Sequence, residues 1–242
     1  MASKRTQQRQ TKTFSMKPED IPTNYLNQIA DLLDRYLNFR MPLTALIPYF
    51  SQAYSRFYLT TSADGRRVHG CAGINILDVN NVQMIYLGAV VVEARFRGIA
   101  TLYQPIFRDV LCERMARPHQ RSYLFGAIVN PYAYAALAKR FYTLLPSPTQ
   151  PQLPEDLLEL TVEGLSMLYG SGLAFDCEQG LVRPSVSLTA VAEKPLDCNN
   201  SVLNFYVERN PKYREGVGLI YAVPLTFGTF AGAWRSLRGA MR

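Results

Sequence analysis

The stretch YLGAVVVEARFRGIATLYQPIF, from Tyr86 to Phe107, constrains this chain more than any other. An apolar strand ends at Glu93, a basic, glycine-containing turn follows, and a helix is expected to start near Gly98. Backbone N–H groups in the first turn of a helix lack intrahelical partners, and the helix dipole adds partial positive charge there. Strand, turn and helix N-terminus together therefore make an anion site that can hold a pyrophosphate with few side chains. Arg95 and Arg97 add charge beside it, Gly98 permits close backbone approach, and Ala100 keeps the next turn small.

Hydrophobic periodicity sets the elements around this turn. KTFSMKPEDIP reads as a first strand broken at Pro18, with Asp20 or Thr23 placed to cap the helix that follows. Tyr25, Leu26, Ile29, Leu32, Leu33, Tyr36 and Leu37 recur at spacings of three and four, so that helix buries one face. A second helix is expected from Pro42 to Tyr54. RFYLTTS, VHGCAGINIL and QMIYLGAVVV then form an antiparallel meander, turning at Ala63-Asp64-Gly65 and at Asn80-Asn81. A helix from Gly98 to Arg117, the strand SYLFGAIV and a helix from Pro131 to Tyr142 complete the order β, α, α, β, β, β, α, β, α. Pro105, about two turns into its expected helix, should kink it. Pro146, Pro148, Pro151 and Pro154 mark a linker, and PEDLLELTVEGLSMLYG supplies one more helix. SVLNFYVERNP and EGVGLIYAVPL read as a hairpin around Asn210 to Gly216, and FGTFAGAWRSLRGAM as a short amphipathic tail. The expected organisation is a flexible basic tail at 1–11 and one domain over 12–242 with an insertion at about 146–200.

With 242 residues, 48% of them hydrophobic, the chain has enough apolar material for a packed core, which excludes disorder as its main state. No apolar run is long enough to span a membrane, and the start, MASKRTQQRQTKTF, has no apolar signal core, so the expectation is a soluble, cytoplasmic protein. Cys71, Cys112, Cys177 and Cys198 are far apart and expected to be reduced. Only His69 and His119 join them, without metal-ligand spacing, so no metal is expected. Lys and Arg exceed Asp and Glu by 26 to 19, but part of the excess lies in solvated termini, and the aromatic strands lack the interleaved Arg and Lys of an RNA-reading sheet. No nucleic-acid partner is expected; a homodimer is left open.

The residues Arg95-Phe96-Arg97-Gly98-Ile99-Ala100 resemble the acyl-CoA motif Q/R-x-x-G-x-G/A of the GNAT superfamily of N-acetyltransferases. The context agrees: a strand precedes the motif and a helix follows it. KPEDIPTNYLNQIADLL is similar to the family's opening strand and helix, and IVNPYAYAALAKRFY to its fifth strand and next helix. The resemblance covers about residues 12 to 145 and implies an α/β (α+β) fold, with a mixed, mostly antiparallel central sheet, a V-shaped splay and flanking helices. It further implies an acetyl-CoA or other acyl-CoA cosubstrate and an amine acceptor. Main-chain groups of Gly88, Ala89 and Val90 would pair with the pantetheine arm in the splay, amides from Phe96 to Thr101, Arg97, Gly98, Ile99 and Ala100 among them, would bind pyrophosphate, and Asn130 would contact the cofactor.

The reaction so implied is direct attack of the amine on the acyl thioester, which needs a proton acceptor and a proton donor for the thiolate. The family commonly has a tyrosine seven residues after the asparagine, where this chain has Leu137, and Phe141 stands where a glycine is expected. Tyr134, one turn earlier, is the substitute acid, against the simpler reading of a packed core tyrosine. Glu93, Tyr86 and His69 are the candidate bases, of which Glu93 lies beside the cradle; a capping glutamate and a structural histidine are the plain alternatives. Three functions remain: an amine acyltransferase, a catalytically weakened relative that binds CoA or a protein partner, and an acyltransferase that takes its acyl group from a carrier protein. The acceptor is expected to be chosen by MPLTALIPYF and VERNPKYREG, with Glu208 and Glu215 available to a cationic amine.

Overall fold

Side-chain alternation divides the core into two layers on opposite faces of one sheet. In the computed structural model, which describes residues 11–96, 102–184 and 199–240, that sheet has eight strands. They are β1 (Thr11–Met16), β2 (Arg56–Ser62), β3 (Val68–Val79), β4 (Val82–Val92), β5 (Ser122–Ile128), β6 (Leu173–Asp176), β7 (Leu181–Pro184) and β8 (Gly218–Pro224), in the spatial order β1-β2-β3-β4-β5-β8-β7-β6. Neighbours are antiparallel except β4 and β5, which run parallel. The expected mixed, mostly antiparallel sheet is thus what forms. Asn80 and Asn81, with φ of 51° and 61°, make the two-residue turn between β3 and β4, a left-handed backbone that asparagine tolerates and that matches strand twist.

Phe57, Leu59, Tyr86, Phe125 and Ile220 point to one face of the sheet, where α1 (Thr23–Leu37), α2 (Leu43–Ala53) and α5 (Glu155–Tyr169) pack through Ile29, Leu33, Leu46, Phe50 and Leu165. Tyr58, Ile85, Leu124, Leu219 and Tyr221 point to the other, where α3 (Tyr103–Ala116), α4 (Pro131–Arg140), α6 (Ser201–Arg209) and α7 (Phe227–Ala240) contribute Ile106, Val110, Tyr134, Tyr206 and Phe230. Residues from Glu155 to Pro184 therefore add a helix on one face and the β6–β7 hairpin at the sheet edge beyond β8.

Four local expectations are corrected. SVLNFYVER is helix α6 and not a strand, because the Asn200 side chain accepts from the amides of Val202 and Leu203, and Leu203 and Tyr206 bury at helical spacing against α4. The partner of β8 is consequently β5, paired from Tyr123↔Pro224 to Ile128↔Leu219. Helix α1 starts after Pro22 with no side-chain cap, so neither Asp20 nor Thr23 has that role. Helix α3 is described from Tyr103, which leaves Pro105 in its first turn, where a missing N–H breaks no hydrogen bond. Pro48 sits inside α2.

Candidate active site

The parallel pairing of β4 with β5 covers Gln83–Tyr86 against Ser122–Phe125 and stops there. Beyond it each strand keeps its other neighbour: β4 follows β3 to Val92↔Gly70, and β5 follows β8 to Ile128↔Leu219. The two strands therefore part, and the sheet opens between them.

A bulge marks the opening. Between Cys71↔Val91 and Gly73↔Gly88, the two residues Ala89 and Val90 stand opposite Ala72 alone. Ala89 takes φ of 48°, a left-handed conformation that disfavours any residue with a Cβ, and its carbonyl accepts from the Cys71 thiol at 3.4 Å. Strain of this kind persists where the surroundings over-determine it. Burial pushes the Cys71 thiol up to about 12, so it remains protonated and inert at neutral pH.

A cavity of about 200 Å³ fills the gap and passes between the two faces of the sheet. Gly88, Ala89 and Val90 line it from β4, and Ala127, Ile128, Val129 and Asn130 from the end of β5. On the α3–α4 side it meets Tyr103, Ala133, Leu137, Arg140 and Tyr221, with the Arg140 guanidinium 4.5 Å over the Tyr103 ring. On the α1–α2–α5 side it meets the rings of Phe39, Tyr49, Phe50, Tyr54, Tyr86 and Tyr169. The hydroxyls of Tyr54 and Tyr86 lie on the Gly88 main chain: a Cβ at that position would come within 2.8 Å of the first and 2.6 Å of the second. Tyr86 and Tyr169 share a hydrogen bond of 2.7 Å. Burial raises Tyr54, Tyr86, Tyr169 and Tyr221 above the ordinary tyrosine range, so each holds its proton at neutral pH.

The structure gathers Gly88, Ala89, Val90 and Asn130 around this one cavity. Asn130 also begins α4 as its N-cap, with Oδ1 accepting from the amides of Tyr132 and Ala133 at 2.8 and 3.3 Å. Leu137 also lines the cavity. Arg97, Gly98, Ile99, Ala100 and Thr101 lie outside the described residues.

Tyr134 and Glu93 do not line the cavity. Tyr134 is fully buried beside Phe205 and Tyr206, and its hydroxyl donates to the Pro146 carbonyl at 2.6 Å. Glu93, at the end of β4, is also buried and faces His69 Nδ1 at 3.2 Å, Arg67 at 2.9 Å and Arg95 at 3.1 Å. Burial pushes its carboxyl up, but Arg67, His69 and Arg95 together pull it below the ordinary range, which makes it a weak proton acceptor. His69 stacks on Phe96 at 4.2 Å, and burial, opposed by Glu93, holds it below its ordinary value. Glu93 thus fastens Arg95 and Phe96, where the basic turn begins, to the start of β3 at Arg67 and His69. Glu208 is exposed on α6 and Glu215 pairs with Arg183 at 3.1 Å; neither lines the cavity. Tyr49, Tyr54, Tyr169 and Tyr221 do line it. Tyr49 and Tyr54, with Tyr58, Tyr86 and Tyr103, are acceptor-pocket candidates from the sequence, of which Tyr58 does not line the cavity; Tyr169 and Tyr221 carry no signal there, since no local motif separates a cavity tyrosine from a core one.

Among the described residues no three His, Cys, Asp or Glu side chains are grouped as metal ligands, and no helix is long and apolar enough to cross a membrane.

No protein-family model and no curated protein matches the chain. Among solved structures it is similar to the GNAT family N-acetyltransferase YhbS from Escherichia coli in complex with CoA, with 15% identity, coverage of 52% of this chain and 67% of that one, and a TM-score of 0.37. It is also similar to Rv2747 from Mycobacterium tuberculosis in complex with CoA and NLQ, with 12% identity, 88% and 99% coverage and a TM-score of 0.42. For Naa50 from Arabidopsis thaliana in complex with a bisubstrate analogue, the values are 15%, 55% and 82%, and 0.37.

Proposed function

We propose that the chain is an N-acyltransferase that moves an acetyl or other acyl group from acyl-CoA to an amine by direct attack. The observation that carries this reading is the parting of β4 and β5 over the Ala89 bulge, which opens a cavity walled by main chain at Gly88, Ala89 and Val90. A slender arm with amide groups fits such a wall, because strand backbone released from its neighbour offers hydrogen bonds that side chains at Gly88 would block. The bound acyl-CoA supplies an activated thioester. Gly88, Ala89, Val90 and Asn130 would hold its arm. The turn that starts at Arg95 and Phe96 and continues through Arg97, Gly98, Ile99, Ala100 and Thr101 is proposed to take the pyrophosphate.

The chain's residues divide the remaining work. The α1–α2–α5 side receives the amine, and the α3–α4 side receives the donor. As the C–N bond forms and the C–S bond breaks, the proton lost by the amine would pass to solvent water, and Tyr221, buried on β8 and lining the cavity near Tyr86 and Tyr103, would give its hydroxyl proton to the departing thiolate and regain one from that water. Tyr134 would first have to leave Pro146. Glu93 acts by positioning the turn. The free thiols of Cys71, Cys112 and Cys177 suit a reducing, cytoplasmic setting.

A second reading, a protein that binds acyl-CoA without turnover, is favoured by one feature: Leu137 occupies the cavity wall where an acid would stand. One experiment separates the two. Acetyl-CoA should raise the melting temperature by mass action, and thiol release with an amine should follow. A shift without release supports the second reading; no shift sinks both.

A further inference from the structure

Among the described residues, the α1–α2–α5 half of the cavity is walled by aromatic rings and carries no charge. Its lining side chains are Phe39, Tyr49, Phe50, Tyr54, Tyr86 and Tyr169, together with Leu33 and Leu37. Tyr54 stacks on Tyr86 at 5.9 Å and 11°, while Tyr169 meets Tyr86 edge-on at 5.9 Å and Tyr49 at 6.2 Å. Among the described lining residues the one charged side chain is Arg140, on the opposite side of the sheet and itself cationic. Tyr169 comes from α5, in the stretch that follows the proline-rich linker. Its place is set by the hydrogen bond to Tyr86, and the end of its helix is tied to α2 through Gln52, whose Nε2 donates to the Leu168 carbonyl at 3.1 Å.

We propose, resting on the acyltransferase reading, that this half-cavity selects an acceptor with a single amine on an apolar or aromatic body, and that Tyr169 is a specificity-determining residue. The physical reason is twofold. A polyamine or amino sugar brings several ammonium groups, and each needs a carboxylate or water when it leaves bulk solvent. Among the described residues this wall has no carboxylate, and Arg140 repels additional cations. A single amine is held against ring faces and hydroxyl oxygens, and its body replaces water on the aromatic surface. The segment around Glu155–Tyr169 thereby gains a role: it brings the last ring of the acceptor pocket.

The shared chemistry, a lone amine on an apolar body, has two sources: a free small amine and the α-amine of a peptide with an apolar first residue. The test is steady-state turnover of acetyl-CoA by the full chain with 2-phenylethylamine, the peptide amide Phe-Gly-Gly and spermidine. It is run on the native protein, Tyr169→Phe and Tyr169→Ala, with acetyl-CoA binding followed in parallel by thermal shift. The expected result is a kcat/KM for 2-phenylethylamine, Phe-Gly-Gly or both that exceeds that for spermidine by about tenfold or more, the scale set by a few favourable ring contacts. Which of the two leads identifies the source. Tyr169→Ala should raise KM for the favoured amine by about tenfold while the acetyl-CoA shift stays unchanged, and Tyr169→Phe should recover most of the loss, because the ring carries the contact. A preference for spermidine, or an unchanged KM in Tyr169→Ala, overturns the inference and leaves the acyltransferase reading intact. Absence of any acetyl-CoA shift overturns both.

Discussion

Tyr134 donates its hydroxyl proton to the carbonyl of Pro146 across 2.6 Å, which ties α4 to the start of the proline-rich segment and turns this tyrosine away from the cavity. Tyr221 is the tyrosine that faces the cavity on that side of the sheet together with Tyr103. Two substitutions should therefore separate. Tyr134→Phe should lower stability by about 1–2 kcal/mol, the cost of an unpaired buried carbonyl, and change kcat by less than about threefold. Tyr221→Phe should lower kcat by about 10²-fold, the scale of a lost proton donor, with an unchanged acetyl-CoA shift. Turnover and thermal unfolding of both variants check this, and a large kcat loss confined to Tyr134→Phe would return the acid role to it.

Asn130 serves two amides of α4 and lines the cavity as well. Asn130→Ala should cost about 1 kcal/mol of stability through the lost cap. It should also weaken acetyl-CoA binding, whereas Asn130→Asp, which keeps the cap acceptor, should restore stability and not affinity. Denaturant titration and a CoA binding isotherm on the two variants distinguish these effects.

Ala89 holds a left-handed φ of 48° in the bulge that parts the strands. A β-branched residue is poorly accommodated there, so Ala89→Val should destabilise the fold by about 1–3 kcal/mol, while Ala89→Gly should fold at least as well as the native chain. If Ala89→Val melts at the native temperature and binds acetyl-CoA as tightly, the bulge is not what shapes the cavity.

Acid should weaken the fold in two stages. Burial keeps His69 below its ordinary 6.5, so the unfolded chain takes up that proton first as the pH drops, and stability falls below pH 6.5. Glu93 is also lowered, by Arg67, His69 and Arg95 against the opposing effect of burial; its contribution is present above the unfolded value of 4.5 and is lost as the pH falls through the folded value. Melting temperatures measured from pH 7.5 to 5.0 should decline less steeply for His69→Gln than for the native protein. Parallel curves would show that His69 is not the group responsible.

The sequence by itself determined most of the local structure. Helix α1 follows from its apolar spacing, the β3–β4 hairpin from Asn80-Asn81, and the alternation of Phe57, Tyr58 and Leu59 from the two-residue period of a strand. No local pattern singles out Gly88, Ala89, Val90 and Asn130; the family resemblance alone implied them, and the parting of β4 and β5 is what brings them to one cavity. Tertiary structure decided what depends on distant partners. SVLNFYVER has apolar residues that suit a strand or a helix, and the Asn200 cap with burial against α4 chose the helix. Tyr134, Tyr169 and Tyr221 are chemically alike in the sequence; one is spent on Pro146 and two reach the cavity only because β8 lies beside β5 and α5 packs across α2. A side chain's chemistry is local, but whether it meets a cavity or a core is set by contacts between elements far apart in the chain.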